Sequence, residues 1–580
     1  MVLVSESVNN GWIRDRVSGM FNKEFFSKYI SENYAFYFLV LISVLISTLH
    51  FNWFYYSHDT PKWFIFDVGI TLYVAYSLRK FREIQYSYIG IIVLALLYLM
   101  LISLWWAPHK VAGIEFIFRF MNSTLLVYCL LKNYSKERLT DLVLTVLFLS
   151  ALCFSLLFVF ERYILGSDFN VGTFSPIGFI NNTSAVFNVW IPGLVIYAVK
   201  HRKQKTRLIL SICTLLIVVS VLMEAGTRGA IIGLTLSELL IFLMVLRKNA
   251  KQAVLFLTIT ALLLLGIGIY NVSDSLQNGR LDAKLNVMKN SIGKAGETRI
   301  NMLVNTWNMT VDNPFGVGVN NFEYIHPKYA QVGQTGASPF INENQILRTP
   351  HNILVKVFSE LGYAGGVLFF LLLTYCFLMA VINAFKGDYI DKWLFVGVSA
   401  TLFHTMVSAV LLTPVSLFFF SLFMATIVSR SELQFVNKGL FSLRLPAAVR
   451  LLYLSIIVLA CMSALSEFYA FKGRINFNSQ HLDKALQFNP QNDRALLNLS
   501  QYNYYRNKEL AASLVNIDQF LSLYPYHIAG LMMKAERHYQ LGELEYSKDT
   551  LEKLLGIHPK YKKAKRLEQL VSIKIKQQKR

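Results

Sequence analysis

The stretch Thr140-Asp-Leu-Val-Leu-Thr-Val-Leu-Phe-Leu-Ser-Ala-Leu-Cys-Phe-Ser-Leu-Leu-Phe-Val-Phe160 lies between a basic segment, Lys132 to Arg138, and the pair Glu161-Arg162. A helix needs about 20 apolar residues to cross the hydrocarbon core of a bilayer, and this run supplies them. Runs of the same kind recur at 35–56, 63–78, 86–106, 112–131, 140–160, 183–199, 208–224, 229–246, 252–270, 363–384, 393–412, 415–429 and 449–466. The whole chain is 54% hydrophobic and only 16% charged, against roughly 25% charged in a soluble domain. The expected fold class is therefore all-α: a polytopic membrane bundle of about 12–13 transmembrane helices with a soluble helical tail.

The formal charge of +21 would suggest nucleic acid in a soluble protein. Here the excess sits in short runs between apolar segments: Arg79-Lys80-Phe81-Arg82, Lys132 to Arg138, Lys200 to Arg207, Arg247-Lys248 and Lys386 to Lys392. Basic loops of that kind face the cytoplasm. This pattern argues for a phospholipid bilayer as partner and against nucleic acid. All five cysteines lie inside apolar runs without CxxC or His/Cys ligand spacing, so neither disulfides nor zinc are expected. No cleavable signal is expected, since the first apolar run lacks a small-residue cleavage site.

Alternation then fixes the expected organisation. Residues 1–34 form a cytoplasmic segment and 35–270 the transmembrane helices 1–9. An extracytoplasmic loop spans 271–362, helices 10–13 span 363–466, and the tail of 467–580 emerges outside. In that tail Pro490, Pro525 and Pro559 close similar stretches at intervals of 35 and 34 residues. The pattern resembles the tetratricopeptide repeat, whose units stack because none buries its apolar face alone. Ten Lys or Arg occupy the last thirty residues, which reads first as a solvated helix end.

Three polar features converge on the outer side. Glu224-Ala-Gly-Thr-Arg228-Gly-Ala-Ile-Ile-Gly233 is a tight turn between two apolar runs; an arginine at a membrane edge either snorkels as an anchor or binds an anion. Glu297-Thr-Arg299 opens an amphipathic helix that breaks at Asn313-Pro314, followed by the glycine-punctuated Phe-Gly316-Val-Gly318-Val-Asn320. Arg299 taken alone reads as solvated. In Arg348-Thr-Pro350-His351-Asn352, a His-Asn pair starts a short apolar helix that runs through Glu360-Leu-Gly362 into the membrane. A neutral imidazole can take a proton from a hydroxyl near neutral pH, although a lone histidine is more often a structural hydrogen-bonding group.

Taken in order and on one face, these features resemble the O-antigen ligase superfamily of bacterial membrane glycosyltransferases. The resemblance covers about 170 to 385, beginning with Gly178-Phe-Ile-Asn181-Asn182-Thr-Ser-Ala. It implies a GT-C-like bundle in the bacterial cytoplasmic (inner) membrane, with its active site facing the periplasm. By the same resemblance, Arg228 and Arg299 engage the diphosphate of an undecaprenyl-diphosphate-linked glycan donor, since guanidinium groups match phosphate oxygens bidentately. They also stabilise the departing lipid diphosphate. His351 activates or orients the acceptor hydroxyl, on a glycolipid or a protein, for inverting attack at the anomeric carbon. Asn182, Asn352 and Glu360 are candidates for ordering the site. No cofactor is implied and no metal is demanded, because the outer loops show no Asp-x-Asp sugar-nucleotide motif.

The same architecture serves ligases acting on lipid A-core, oligosaccharyltransferases acting on protein hydroxyls, and polymerases of surface polysaccharide. An outer repeat array suits ligation, as a surface for holding a protein or a long polymer. A transporter or flippase of lipid-linked glycans is the competing class, but the internal halves common in transporters are not visible. Glu115 and Arg119, in the 112–131 run, are the mid-run charges weighed for a translocation path. A receptor or scaffold using the repeats alone would leave Arg228, Arg299 and His351 without a role.

Overall fold

A computed structural model of the chain describes residues 23–80, 83–166, 173–246, 299–338, 341, 346–431, 441–444 and 447–578. The first apolar runs fold as α1 (Lys23–Thr48), α2 (Asp59–Leu78), α3 (Tyr88–Ser103), α4 (Lys110–Asn133), α5 (Lys136–Val159), α6 (Ile180–Lys200), α7 (Lys205–Ala225) and α8 (Arg228–Leu246). After α9 (299–312) and the one-turn α10 (Phe322–Ile325) come α11 (Ile353–Lys386), α12 (Tyr389–Thr405), α13 (Pro414–Arg430) and α14 (Ala447–Ile475). The run at 252–270 lies outside the described residues, as do 271–298; every other apolar run coincides with a helix.

Among the described residues six helices are long and apolar enough to cross a membrane. The chain is thus an all-α polytopic membrane protein with a helical C-terminal region. Boundaries move in two places. The first described helix spans Lys23–Thr48, and after it Phe51 N donates to Ser57 O (2.9 Å), closing a turn where the sequence suggested further membrane helix. Two four-residue strands also occur, β1 (Glu83–Tyr86) and β2 (Phe441–Arg444), paired antiparallel with Glu83 opposite Arg444. They tie the loop after α2 to the loop before α14.

That strand pair marks one end of the bundle. There Lys200 pairs with Asp141, and Arg430 reaches Asp391 (2.6 Å) and Asp388 (2.9 Å). At the opposite end the tail folds as α15 (Ser479–Phe488), α16 (Asp493–Tyr502), α17 (Leu510–Leu523), α18 (Ile528–Leu541), α19 (Leu544–Ile557) and α20 (Lys562–Gln578). Each tail helix packs on the next in the chain. Pro490, Pro525 and Pro559 fall in the turns before α16, α18 and α20, whose starts lie 35 and 34 residues apart. The tail shares one core with α9 and the segment after it: Met302, Met309, Val317, Phe322 and Leu347 cluster with Leu531, Leu551, Leu554 and Val571. Both therefore stand at the same end of the bundle.

Within the bundle α12 packs against α6, α8 and α11. Its contact with α8 runs through Gly229-Ala-Ile-Ile-Gly233, a small-residue spacing that lets two helix backbones approach closely. A Cβ on Gly233 would lie 2.7 Å from the Ala400 carbonyl oxygen, and one on Gly229 would lie 2.6 Å from the His404 ring. These two glycines bring the start of α8 onto the end of α12.

Candidate active site

The loop from 313 to 352 is held by the break inside α11. Gly362 takes φ 67°, ψ −168°, a conformation open in practice only to glycine. Around it Val317 N donates to Ser359 O (3.0 Å), Gly318 N to Glu360 O (2.9 Å) and Tyr363 N to Pro314 O (3.1 Å). The Asn-Pro-Phe-Gly-Val-Gly stretch and the Glu-Leu-Gly stretch thus form one joint. Glu360 sits inside it: nearly fully buried, it pairs with Lys356 and accepts from Phe322 N at 3.1 Å. On the far side of the loop Asn321 exchanges two hydrogen bonds with the backbone of His109, fixing the loop to the start of α4.

His351 and Asn352 come next. Asn352 caps α11, its Oδ1 accepting from Val355 N (3.0 Å), while its Nδ2 donates to Met406 O (3.0 Å) at the end of α12. His351 is held at φ 53°, a left-handed conformation uncommon for a side-chain-bearing residue, and its N–H donates to Thr349 Oγ1 (3.2 Å). Burial lowers the His351 pKa from its ordinary 6.5, and the nearby positive charge of Arg299 lowers it further. The ring is consequently neutral at neutral pH and able to accept a proton.

Arg299 opens α9 and is exposed, and its charge reaches His404 as well as His351. His404, 1% exposed near the end of α12, accepts from Asn188 Nδ2 (3.1 Å) and touches Gly229, the residue after Arg228. Arg228 itself is exposed at the first turn of α8, just beyond Gly226, whose φ of 57° ends α7. The turn that carries Arg228 thus meets the His404 ring through Gly229, and the charge of Arg299 acts on both imidazoles. Neither His404 nor Asn188 stood out in the sequence. The signal was present, since buried polar groups inside membrane runs are costly and carry function or specific pairing.

One face of α9 is unusual for a solvated helix. Ile300, Val304, Trp307 and Val311, at helical spacing, and then Phe315 are 45% to 79% exposed, while Met302, Thr306, Met309 and Thr310 are buried. Trp105 and Trp106 at the end of α3 are exposed beside this segment, and Trp106 Nε1 donates to Gly316 O (2.9 Å).

A cavity of about 1010 Å³ opens on the other side of His351, between the membrane helices and the tail. Asn182, in the first turn of α6, and Arg348 line it with His351. Asn182 is carried there by a loop that Lys62 anchors from within the bundle, donating to the carbonyls of Pro176 (2.5 Å) and Ile177 (2.8 Å). Arg228, Arg299, Asn352 and Glu360 do not line the cavity. His351 thus lines the polar chamber, and the two arginines do not. In the chamber wall burial pushes the Glu323 carboxyl up to about 8, with the like charge of Asp493 adding to it. Among the described residues no cluster of His, Cys, Asp and Glu has the grouping of a metal site.

No curated protein matches the chain. Residues 213–370, which hold Arg228, Arg299, His351, Asn352 and Glu360 but not Asn182 or the tail, match the family model described as O-antigen ligase. This segment is thereby a member of the O-antigen ligase superfamily of membrane glycan ligases and polymerases.

Proposed function

We propose that the protein is a glycosyltransferase that moves a glycan from an undecaprenyl-diphosphate carrier to an acceptor hydroxyl on the outer face of the cytoplasmic membrane. The observation that carries this reading is the neutral, half-buried imidazole of His351, set between an arginine and a chamber large enough for substrate. His351 takes the proton of the attacking hydroxyl as the new glycosidic bond forms. The bond from the anomeric carbon to the diphosphate breaks on the opposite side, with inversion. Arg228 and Arg299 hold the diphosphate, and their charge stabilises it as it leaves.

A lipid-linked donor also suits α9. Its exposed apolar stripe starts one residue after Arg299, so a prenyl chain lying along the stripe would end with its headgroup at that guanidinium. Asn352 orders the site by fixing His351 to α12, Glu360 does so through the 313–322 loop, and Asn182 from the chamber wall. Ligation onto a glycolipid or protein is favoured over chain extension, because the tail closes the chamber on one side.

The test is transfer in membranes with purified lipid-linked donor. His351→Ala should abolish it while the protein still inserts, and Arg228→Lys should be nearly as damaging, since an ammonium cannot bind phosphate bidentately. Full turnover by His351→Ala would sink the catalytic assignment.

A further inference from the structure

The segment that leads into His351 is held from the tail. Ile346 packs against the tail cluster that includes Leu496 and Phe520, and its neighbour Leu347 lies in the core with Leu531 and Leu551. Arg348 follows, with its guanidinium over the Tyr56 ring at 3.8 Å and its Nε 3.8 Å from Glu323 Oε2. Three residues on, His351 keeps its left-handed φ of 53°, and its N–H donates to Thr349 Oγ1. Such a conformation costs free energy in a residue with a side chain and persists only where its surroundings over-determine it. Pro350 stiffens the link between Arg348 and His351, because its ring fixes φ.

The Tyr56 ring carries a second cation. Arg494, in the tail helix α16, places its guanidinium 4.1 Å from the Tyr56 ring centre and 4.4 Å from that of Tyr55. One helical turn further along α16, Asn498 Nδ2 donates to the Tyr55 hydroxyl (2.6 Å). Tyr55 and Tyr56 belong to the turn between α1 and α2, and Thr60 N donates to Tyr56 O (3.0 Å) where α2 starts. A turn of the membrane bundle, a tail helix and the loop before His351 therefore meet on two adjacent rings. The two guanidinium groups repel each other, but each is attracted to the ring face, and the opposite charge of Asp493 acts on Arg348. Planar guanidinium groups stack on aromatic faces, so the arrangement fixes orientation as well as distance.

We propose that the Arg348–Tyr56–Arg494 stack is a clamp through which the tail sets the position of His351, with Tyr56 and Arg494 as positioning residues for transfer. Both lie outside the matched 213–370 segment. That segment then needs the tail, and the turn before α2, to keep its imidazole in place. The effect on transfer rests on the transferase reading; the placement of the ring does not, and it is measured without substrate.

The experiment uses the full chain in lipid nanodiscs and compares Tyr56→Leu, which removes the aromatic face, Tyr56→Phe, which keeps it, and Arg494→Ala, which removes the tail's cation. Carbethoxylation of His351 by diethyl pyrocarbonate, followed by peptide mass spectrometry, measures how open the half-buried ring is. It should quicken about threefold or more in Tyr56→Leu and Arg494→Ala, as for a group gaining solvent through local opening, and match wild type in Tyr56→Phe. In the first two variants kcat should fall about tenfold with KM within about twofold, because a misplaced base costs turnover and spares the binding shared by ground and transition states; Tyr56→Phe should keep the wild-type kcat. Thermal unfolding identifies the folded variants, and either of the two carries the test if the other fails to fold. Unchanged carbethoxylation or unchanged kcat in a folded Tyr56→Leu or Arg494→Ala overturns the proposal, and so does a Tyr56→Phe as impaired as Tyr56→Leu. Loss of folding in both variants would mark the stack as purely structural and overturn it as well. Faster carbethoxylation in a protein without any transfer would leave the clamp standing and remove the transferase reading.

Discussion

The positive charge of Arg299 falls on the imidazole of His351, reinforcing burial in holding that ring below its ordinary pKa of 6.5. A general base works in its neutral form, so a lowered pKa extends the active form toward acid. The acid limb of kcat/KM should therefore lie below the ordinary imidazole midpoint, falling as pH drops through the depressed His351 pKa. Arg299→Gln removes one of the two depressing causes, and the acid limb of its residual activity should move to higher pH. A pH–rate profile with the limb unmoved in Arg299→Gln would show that the two groups are not electrostatically linked.

Much of this arrangement was legible in the sequence because it rests on local patterns. Hydropathy located the bundle helices, Asn313-Pro314 ended α9, and the prolines of the tail marked the turns before α16, α18 and α20. What could not be read was which distant groups meet. Glu360 was a candidate for ordering the site or for pairing within the fold, and the partners its carboxylate meets, Lys356 and Phe322 N, come together only through the joint at Gly362. His404 was hidden in an apolar run, and its role appears only when the Gly229–Gly233 face is docked on α12. The chamber is assembled from α2, α4, α14 and α16, segments hundreds of residues apart.

The Lys356–Glu360 pair is buried on both sides, and breaking such a pair by removing one partner costs about 3–5 kcal/mol because a lone charge stays behind. Glu360→Leu should therefore unfold at lower temperature than wild type, and adding Lys356→Met should recover part of the loss. Thermal unfolding in detergent monitors both. Equal stability of Glu360→Leu and wild type would remove Glu360 from the scaffold and return it to the chemistry.

Gly233 faces the Ala400 carbonyl oxygen at a separation that leaves no room for a methyl group. Although alanine favours helix by about 1 kcal/mol over glycine, Gly233→Ala should push α8 off α12 and carry the Arg228 turn away from His404. Overpacking of this kind costs about 1–3 kcal/mol. Transfer should fall about tenfold or more with insertion intact, whereas Gly556→Ala, at a tail position with open space, should be neutral in the same assay.

Trp307 lies in the exposed apolar stripe of α9, three residues from Val304 and four from Val311, with the buried face of the helix turned to the tail. A helix with one apolar face and a cation at its start lies in the plane of a membrane interface, its apolar residues among the acyl chains. If that surface guides the prenyl chain toward Arg299, the cost of a charge there falls on donor capture and spares the chemical step. Trp307→Glu should raise KM for the long-chain lipid-linked donor, with kcat within about twofold of wild type, because only binding shared by ground and transition states is lost. A short-chain donor that does not reach along the helix should be used equally well by both proteins. Should Trp307→Glu handle long and short donors alike, α9 does not guide the lipid, and its exposed face serves only to anchor the tail-bearing end of the bundle at the bilayer.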